Sequence, residues 1–135
     1  MRRRRRKPFQ RYFTVSEANA LIPELQKHIL RLQALLNRLR EEYREKEQLV
    51  AHREQRNGLA PEWEPSTVAE AIHKAVDELH ALGVILRDVD NGIVDFPHLR
   101  DGQEVFLCWQ LGEDRVRYWH ELDKGFNARK PLTER

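Results

Sequence analysis

The residue types best suited to chemistry gather in one short stretch, between residues 95 and 121. This stretch combines carboxylates, imidazoles and the only thiol of the chain, with tryptophan and tyrosine residues between them. Its polar members are Asp95, His98, Cys108, Glu113, His120 and Glu121. Histidine nitrogen, thiolate sulfur and carboxylate oxygen are ligands that zinc and similar divalent transition metals accept. The stretch therefore predicts a site for a metal ion or small ligand. The candidate metal ligands are His98, Cys108, Glu113, His120 and Glu121.

Whether these ligands converge depends on strand register, because side chains alternate between the two faces of a strand. If the turn at residues 112–114 has three residues, Cys108 faces Tyr118 and shares a face with His120. If the turn has two residues, Cys108 and His120 point to opposite faces. The sequence leaves both registers open, and we expect His120 to lie near a carboxylate of this stretch. Without a site, Cys108 is a small buried hydrophobe and His120 a hydrogen-bonded histidine.

The strands that would carry these residues are separated by turns. Asn91-Gly92 favours a two-residue hairpin, because this pair tolerates the positive φ angles of a type I′ turn. Asp101-Gly102 marks a second turn, and residues 111–115 form a third. The runs between these turns predict a small four-stranded antiparallel β-meander over residues 84–122. An extended C-terminal tail is expected over residues 123–135.

A helical region precedes the meander. Thr14 and Glu17 form a capping box, and Pro23 predicts a kink or a restart of the first helix. From Ile22 to Val50, residues recur at alternating spacings of three and four, the period of a coiled-coil seam, and all of them are apolar except Lys46. The same spacing returns in residues 68–82. These patterns predict a long antiparallel helical hairpin over residues 13–83, and therefore an α+β fold.

The two predicted helices differ in length, and this difference bears on assembly. The first predicted helix, residues 23–57, is longer than the second, residues 66–82. The leucine-rich half of the first helix must therefore be buried by something other than the second helix. Either the C-terminal module or a second chain must bury it. We expect a homodimer, because burying one leucine contributes about 1.5–3 kcal/mol. The predicted interface residues are Leu25, Ile29, Leu32, Leu36 and Leu39.

A basic arm opens the chain over residues 1–12 and is predicted to be disordered, because a block of like charges repels itself. Its cations are Arg2, Arg3, Arg4, Arg5, Arg6 and Lys7. The net charge of the chain is only +2, so acidic residues outnumber basic ones in the remainder. Such an arm attracts phosphate backbones without sequence specificity. Nonspecific nucleic-acid binding through the arm is therefore an alternative function.

Several classes of protein and site are excluded or disfavoured. No apolar run is long enough to span a membrane, and one cysteine cannot form an intramolecular disulfide, so we expect a cytoplasmic protein. Nucleotide-binding glycine loops and a nucleophile elbow are absent from the sequence. A stripe on the second helix, Glu70, His73, Asp77 and His80, has the Glu-x-x-His spacing of helical di-iron sites. A solvated helix face is the better interpretation of this stripe.

Two segments of the chain resemble a known family. These are YFTVSEANALIPEL near the start and LGVILRDVDNGIVDFPHLRDGQEVFLCWQLGEDRVRYWHELDKGFNARKPL in the second half. Together they resemble the domain of unknown function 2203 family, whose members are small uncharacterised prokaryotic proteins. The resemblance covers nearly all of the chain after the basic arm. It implies no established activity, cofactor or catalytic residue.

The sequence as a whole favours a non-enzymatic, homodimeric interaction or scaffold protein built on the helical hairpin. The alternative from another class is a protein that binds a metal or small ligand on the meander, with or without enzymatic activity there. The cofactor would then be a divalent transition metal. These alternatives differ in a measurable quantity, the metal content of the purified protein.

Overall fold

The computed structural model describes residues 9–57 and 66–133. It has two α-helices, α1 (Val15–Asn57) and α2 (Thr67–Ala81), followed by a sheet. The strands are β1 (Ile85–Asp88), β2 (Ile93–Arg100), β3 (Gln103–Gln110), β4 (Tyr118–Glu121) and β5 (Lys130–Pro131). They lie in the order β1-β2-β3-β4-β5, and every neighbouring pair is antiparallel. The predicted α+β class is confirmed.

The four strands predicted over residues 84–122 are present as β1 to β4, but the sheet of the described residues has a fifth strand, so the predicted total of four is too low. The segment expected to be an extended tail contains a 3-10 turn, Phe126–Ala128, and the short strand β5. Tyr118 pairs with Pro131, and Trp119 pairs with Lys130. A two-residue strand is too short to show the alternation of apolar and polar residues that marks strands in a sequence.

α1 begins with the predicted capping box. The Thr14 amide donates to Glu17 Oε1 at 2.9 Å, and the Glu17 amide donates to Thr14 Oγ1 at 3.0 Å. α1 then continues through Pro23 as one helix of 43 residues, so the predicted restart is wrong. Pro23 itself is exposed, whereas Ile22 and Leu25 beside it are buried in the core. Their packing outweighs the hydrogen bond that proline cannot donate.

The leucine-rich half of α1 is covered by its own chain. Leu25, Ile29 and Leu32 are at most 1% exposed, in one core with α2 and the sheet. The interface predicted through these three residues is therefore not available to a second copy. The reason is that β2 and β3 are eight residues long and supply a wide apolar face. Leu36 and Leu39 are half-buried.

The two faces of the sheet differ in what they contact. Val94, Phe96, Leu107 and Trp109 belong to the core that includes the helices. The alternate positions point away from this core, and they include the polar residues Asp95, Cys108 and His120. The chemistry predicted from the sequence therefore lies on the sheet face opposite the helices.

The N-terminal residues reach this sheet before α1 begins. The Phe9 ring lies 5.4 Å from that of Phe106, and Tyr12 Oη donates to Glu104 at 2.9 Å. Residues 9–12, which the sequence assigned to the arm, thus contact the sheet. The cations of the arm, residues 2–7, lie outside the described residues. Neither α1 nor α2, the helices described, is long and apolar enough to cross a membrane.

Candidate functional site

The register between β3 and β4 is the one that brings Cys108 and His120 to the same face. Cys108 pairs with Tyr118, and Phe106 pairs with His120. In the neighbouring ladder, Asp95 of β2 stands directly opposite Cys108. Three strands therefore present a carboxylate, a thiol and an imidazole side by side.

These three side chains form one buried cluster, the Asp95–Cys108–His120 cluster. Each offers one ligand atom, and the three atoms lie within 4.8 Å of one another. Asp95 and His120 are 1% exposed, and Cys108 is fully buried. His120 Nε2 lies 3.1 Å from both carboxylate oxygens of Asp95. The expected approach of His120 to a carboxylate of this stretch is confirmed.

The contact made by the other ring nitrogen of His120, Nδ1, fixes the orientation of the imidazole ring. Nδ1 lies 2.8 Å from the Glu121 carbonyl oxygen, which can only accept a hydrogen bond. Nδ1 therefore carries a hydrogen, and Nε2 faces the Asp95 carboxylate. In a metal-bound histidine, one ring nitrogen usually donates to a backbone carbonyl while the other faces the metal and its neighbouring ligands.

Asp95 is the centre of a polar network. Arg87 Nε donates to Asp95 Oδ2 at 2.8 Å, and the Arg87 guanidinium lies 5.0 Å above the Phe106 ring. The Cys108 thiol faces the same carboxylate, with Sγ within 4.8 Å of an Asp95 oxygen. Burial, reinforced by the negative charge of Asp95, raises the pKa of Cys108 far above its ordinary value. Without a metal, Cys108 is therefore a neutral thiol.

A cavity of about 350 Å³ opens beside the cluster. Its lining residues are Arg87, Ile93, Asp95 and the segment 122–126. Asp95 thus belongs both to the buried cluster and to the cavity wall. The cavity therefore adjoins the cluster at Asp95, which is itself 1% exposed.

The segment that covers this face is held in place by an ion pair. Arg129 Nη1 donates to both carboxylate oxygens of Glu113, at 3.0 and 3.1 Å. The Arg129 guanidinium also lies 4.3 Å from the Tyr118 ring centre and 3.9 Å from that of Phe126. Glu113, a predicted metal ligand, is thereby engaged with Arg129 and lies outside the cluster.

The other two predicted ligands also lie apart from it. His98 Nδ1 contacts the Phe13 carbonyl oxygen at 2.6 Å, on the helix side of the sheet. Glu121 alternates with His120 along β4, so its carboxylate lies on the opposite face and pairs with Lys130. This hydrogen bond lowers the pKa of Glu121. Of the five candidate ligands, the structure brings together Cys108 and His120.

Asp95 is the ligand that the candidate set lacks, although the sequence contains a signal for it. A two-residue turn at Asp101-Gly102 pairs Arg100 with Gln103, and counting back along both strands places Asp95 opposite Cys108. The helical stripe is elsewhere: Glu70, His73, Asp77 and His80 are all exposed.

Together, these features define an α+β protein with a helical layer on one face of an antiparallel sheet and a buried Asp–Cys–His cluster on the other. The chain belongs to the family described as uncharacterized conserved protein (DUF2203), whose model matches residues 11–132. The resemblance seen in the sequence is thereby confirmed, and the cations of the arm, residues 2–7, lie outside the match. No curated protein and no solved structure matches the chain.

Proposed function

We propose that this protein binds one divalent transition metal ion, with zinc as the best fit, through Asp95, Cys108 and His120. The observation that carries the proposal is the orientation of His120. Its Nδ1 is held by a carbonyl oxygen, and its Nε2 points into a buried group that contains an oxygen and a sulfur ligand.

The spacing of the ligand atoms supports a tetrahedral ion. Zinc bonds to nitrogen and oxygen of about 2.0–2.1 Å give a nitrogen–oxygen edge of about 3.3 Å in a tetrahedron. The observed distance from His120 Nε2 to Asp95 is 3.1 Å. Magnesium and calcium prefer oxygen ligands alone, so a set with sulfur and nitrogen favours zinc or a neighbouring transition metal.

Three protein ligands leave a fourth coordination position. Structural zinc sites are usually closed by four protein ligands, whereas catalytic sites keep one position for water or substrate. Because Asp95 also lines the neighbouring cavity, we place that fourth position on the cavity side of the cluster. Such an ion would act as a Lewis acid or would polarise a bound ligand.

The charges around the cluster also balance. A divalent cation is neutralised by the Asp95 carboxylate and a Cys108 thiolate. Arg87, which is bonded to Asp95 Oδ2, then acts as an outer partner that orients the carboxylate. The site requires a reduced thiol, which fits the reducing cytoplasm that we propose as its compartment.

Metal analysis of the full chain, purified without a histidine tag or chelator, tests the proposal. We expect one zinc ion per chain after reconstitution, and loss of that ion in Cys108→Ser and His120→Gln. His73→Gln, a change at an exposed histidine, serves as the control and should keep the metal. Far-ultraviolet circular dichroism of each variant checks folding. A folded wild-type protein that takes up no metal would overturn the proposal, leaving the cluster as a purely structural network.

We further propose that the distal part of α1 is an interaction surface for a second copy of this chain. α1 has 43 residues against 15 in α2, roughly 64 Å against 22 Å at about 1.5 Å per residue. The heptad pattern continues beyond Leu39 to Val50, and Leu49 is 57% exposed. This surface replaces the buried Leu25–Ile29–Leu32 stretch as the support for a dimer.

Sedimentation velocity at several protein concentrations tests this second proposal. The double change Leu39→Glu and Leu49→Glu should shift the chain from dimer to monomer. Gln48→Glu, an exposed neighbour in the same turn, is the matched control and should leave the dimer intact. A wild-type protein that remains monomeric at high concentration would contradict the proposal.

A further inference from the structure

We propose that the cavity beside the Asp95–Cys108–His120 cluster binds the carboxylate of a small organic anion, with Arg87 and Lys124 as the recognising cations. This inference rests on the proposed metal site and names the class of ligand that the site takes. The carboxylate would lie between these cations and the open position of the metal.

The cavity has the composition of a small-molecule site. Arg87 and Lys124 supply positive charge, and Ile93, Leu122 and Phe126 supply apolar walls. Binding sites in proteins are mostly apolar with a few placed polar groups, and their volumes are about 300–1,000 Å³. The volume of about 350 Å³ lies at the lower end of that range, which favours a small acid over a nucleotide.

Arg87 is positioned in advance for this role. Within residues 9–57 and 66–133, its one hydrogen bond uses Nε, which donates to Asp95 at 2.8 Å. Its guanidinium is further fixed above the Phe106 ring. The side chain is nevertheless 44% exposed, so its terminal nitrogens remain accessible to a ligand. A guanidinium offers paired donors that match the two oxygens of a carboxylate.

The charge balance indicates that the ligand is an anion. In the metal-free site, Asp95 neutralises Arg87 through their ion pair. Once a divalent ion is held by Asp95 and a Cys108 thiolate, the negative charge of Asp95 neutralises the metal and no longer neutralises Arg87. Arg87 and Lys124 then face one remaining carboxylate of the wall, Asp123. The cavity keeps a net positive charge, which a monoanion would neutralise.

The nearby Glu121 does not alter this balance. Its carboxylate lies on the other face of β4 and is paired with Lys130. Glu113 on the far side of the cluster is likewise paired, with Arg129. Glu121 and Glu113 therefore have their own cations, and among the lining residues Asp123 is the carboxylate that remains to offset Arg87 and Lys124.

Isothermal titration calorimetry of the zinc-loaded full chain tests the inference, with benzoate as the probe and benzamide as its neutral isostere. Zinc content is measured first in every variant. We expect benzoate to bind and benzamide not to bind. Arg87→Gln should weaken benzoate binding by roughly 10- to 100-fold, as expected for the loss of a hydrogen bond between charged groups. Lys124→Gln should weaken it by a smaller factor, and Arg115→Gln, at an exposed arginine outside this cavity, should leave it unchanged.

The outcomes that overturn this inference are distinct from those that overturn the metal site. If the chain takes up no zinc, the proposed function fails before any benzoate is added, and this inference fails with it. If zinc is bound at one ion per chain but benzoate and benzamide bind alike, the anion site is wrong. The same conclusion follows if zinc-loaded Arg87→Gln and Lys124→Gln bind benzoate as tightly as the wild type.

Discussion

Replacing Asp95 with asparagine removes the charge on which the buried network depends while keeping the shape of the side chain. In the metal-free protein, the carboxylate accepts from Arg87 at 2.8 Å and lies 3.1 Å from His120 Nε2. One of its oxygens lies within 4.8 Å of Cys108 Sγ. Asparagine retains one acceptor oxygen, so these donors lose most of their partners.

The size of the effect follows from the burial of each partner. Breaking a buried ion pair by removing one member costs about 3–5 kcal/mol, because the other member stays behind without compensation. The Arg87 side chain is 44% exposed and can be hydrated, whereas that of His120 is 1% exposed and cannot. We therefore expect Asp95→Asn to lower the free energy of unfolding by about 3 kcal/mol, at the lower end of that range. The thermal midpoint should fall by roughly 10 °C.

Urea denaturation of the metal-free wild type and variant, followed by circular dichroism, measures this change. The matched control is Asp114→Asn, because Asp114 is 74% exposed and pairs with Arg117 within one surface turn. Its denaturation midpoint should stay close to that of the wild type. A loss below about 1 kcal/mol in Asp95→Asn, the value of one ordinary hydrogen bond, would refute the reasoning. Asp95 would then not be the charged centre of the cluster.

Three further predictions concern the metal, the covering segment and the arm. Zinc must displace the proton of the Cys108 thiol, whose pKa is raised, so zinc affinity should fall about tenfold for each unit of decreasing pH near neutrality. Competition with a chromophoric chelator measures this affinity. An affinity that does not change with pH would exclude Cys108 as a ligand. Arg129→Leu leaves the Glu113 carboxylate without its cation and should lower the free energy of unfolding by about 1.5–3 kcal/mol, as measured by urea titration. The control Arg115→Leu, at an exposed arginine, should lower it by less. A deletion of residues 2–7, which lie outside the described residues, should leave the thermal midpoint unchanged and reduce the log–log salt slope of RNA binding by up to about 4–5. RNA binding as tight as that of the full chain would show that the arm is not the contact.

The parts of the site that could be predicted from the sequence depend on turns with a defined geometry. Asp101 and Gly102 have φ angles of 50° and 79°, as the two central residues of a type I′ turn require. Such a turn sets the pairing of β2 with β3, and with it the position of Asp95 opposite Cys108. Asp95 is a proposed ligand that residue type alone does not single out, because only the strand pairing brings it opposite Cys108.

The connection between β3 and β4 has no such geometry. Gly112 has a φ of 105°, and the Glu113 side chain folds back to accept from the Gln110 amide at 2.6 Å. β4 begins only at Tyr118, so the loop is longer than either turn that the sequence suggested. The sequence does not show how many residues leave the strand pairing in such a loop. For that reason it leaves the register of His120 against β3 open.

The sequence does not distinguish whether the sheet or a second chain buries the apolar face of the first helix, and the reason is energetic. Burial of Leu25 or Leu32 contributes the same free energy whether the covering surface is a sheet or a second chain. Hydrophobic periodicity therefore shows which face of α1 is buried but not what buries it. The apolar face of β2 and β3 supplies the cover, through residues such as Phe96 and Leu107.

The most direct test of the metal site is the zinc stoichiometry and affinity of the untagged full chain, measured side by side with Cys108→Ser. The wild type should bind one zinc ion per chain in competition with a chromophoric chelator, and Cys108→Ser should remain folded and bind at least 10-fold more weakly. Because Cys108 is the only cysteine, this loss assigns the sulfur ligand without ambiguity. A wild-type chain that fails to compete for zinc, or a Cys108→Ser chain that binds it equally well, would contradict the account.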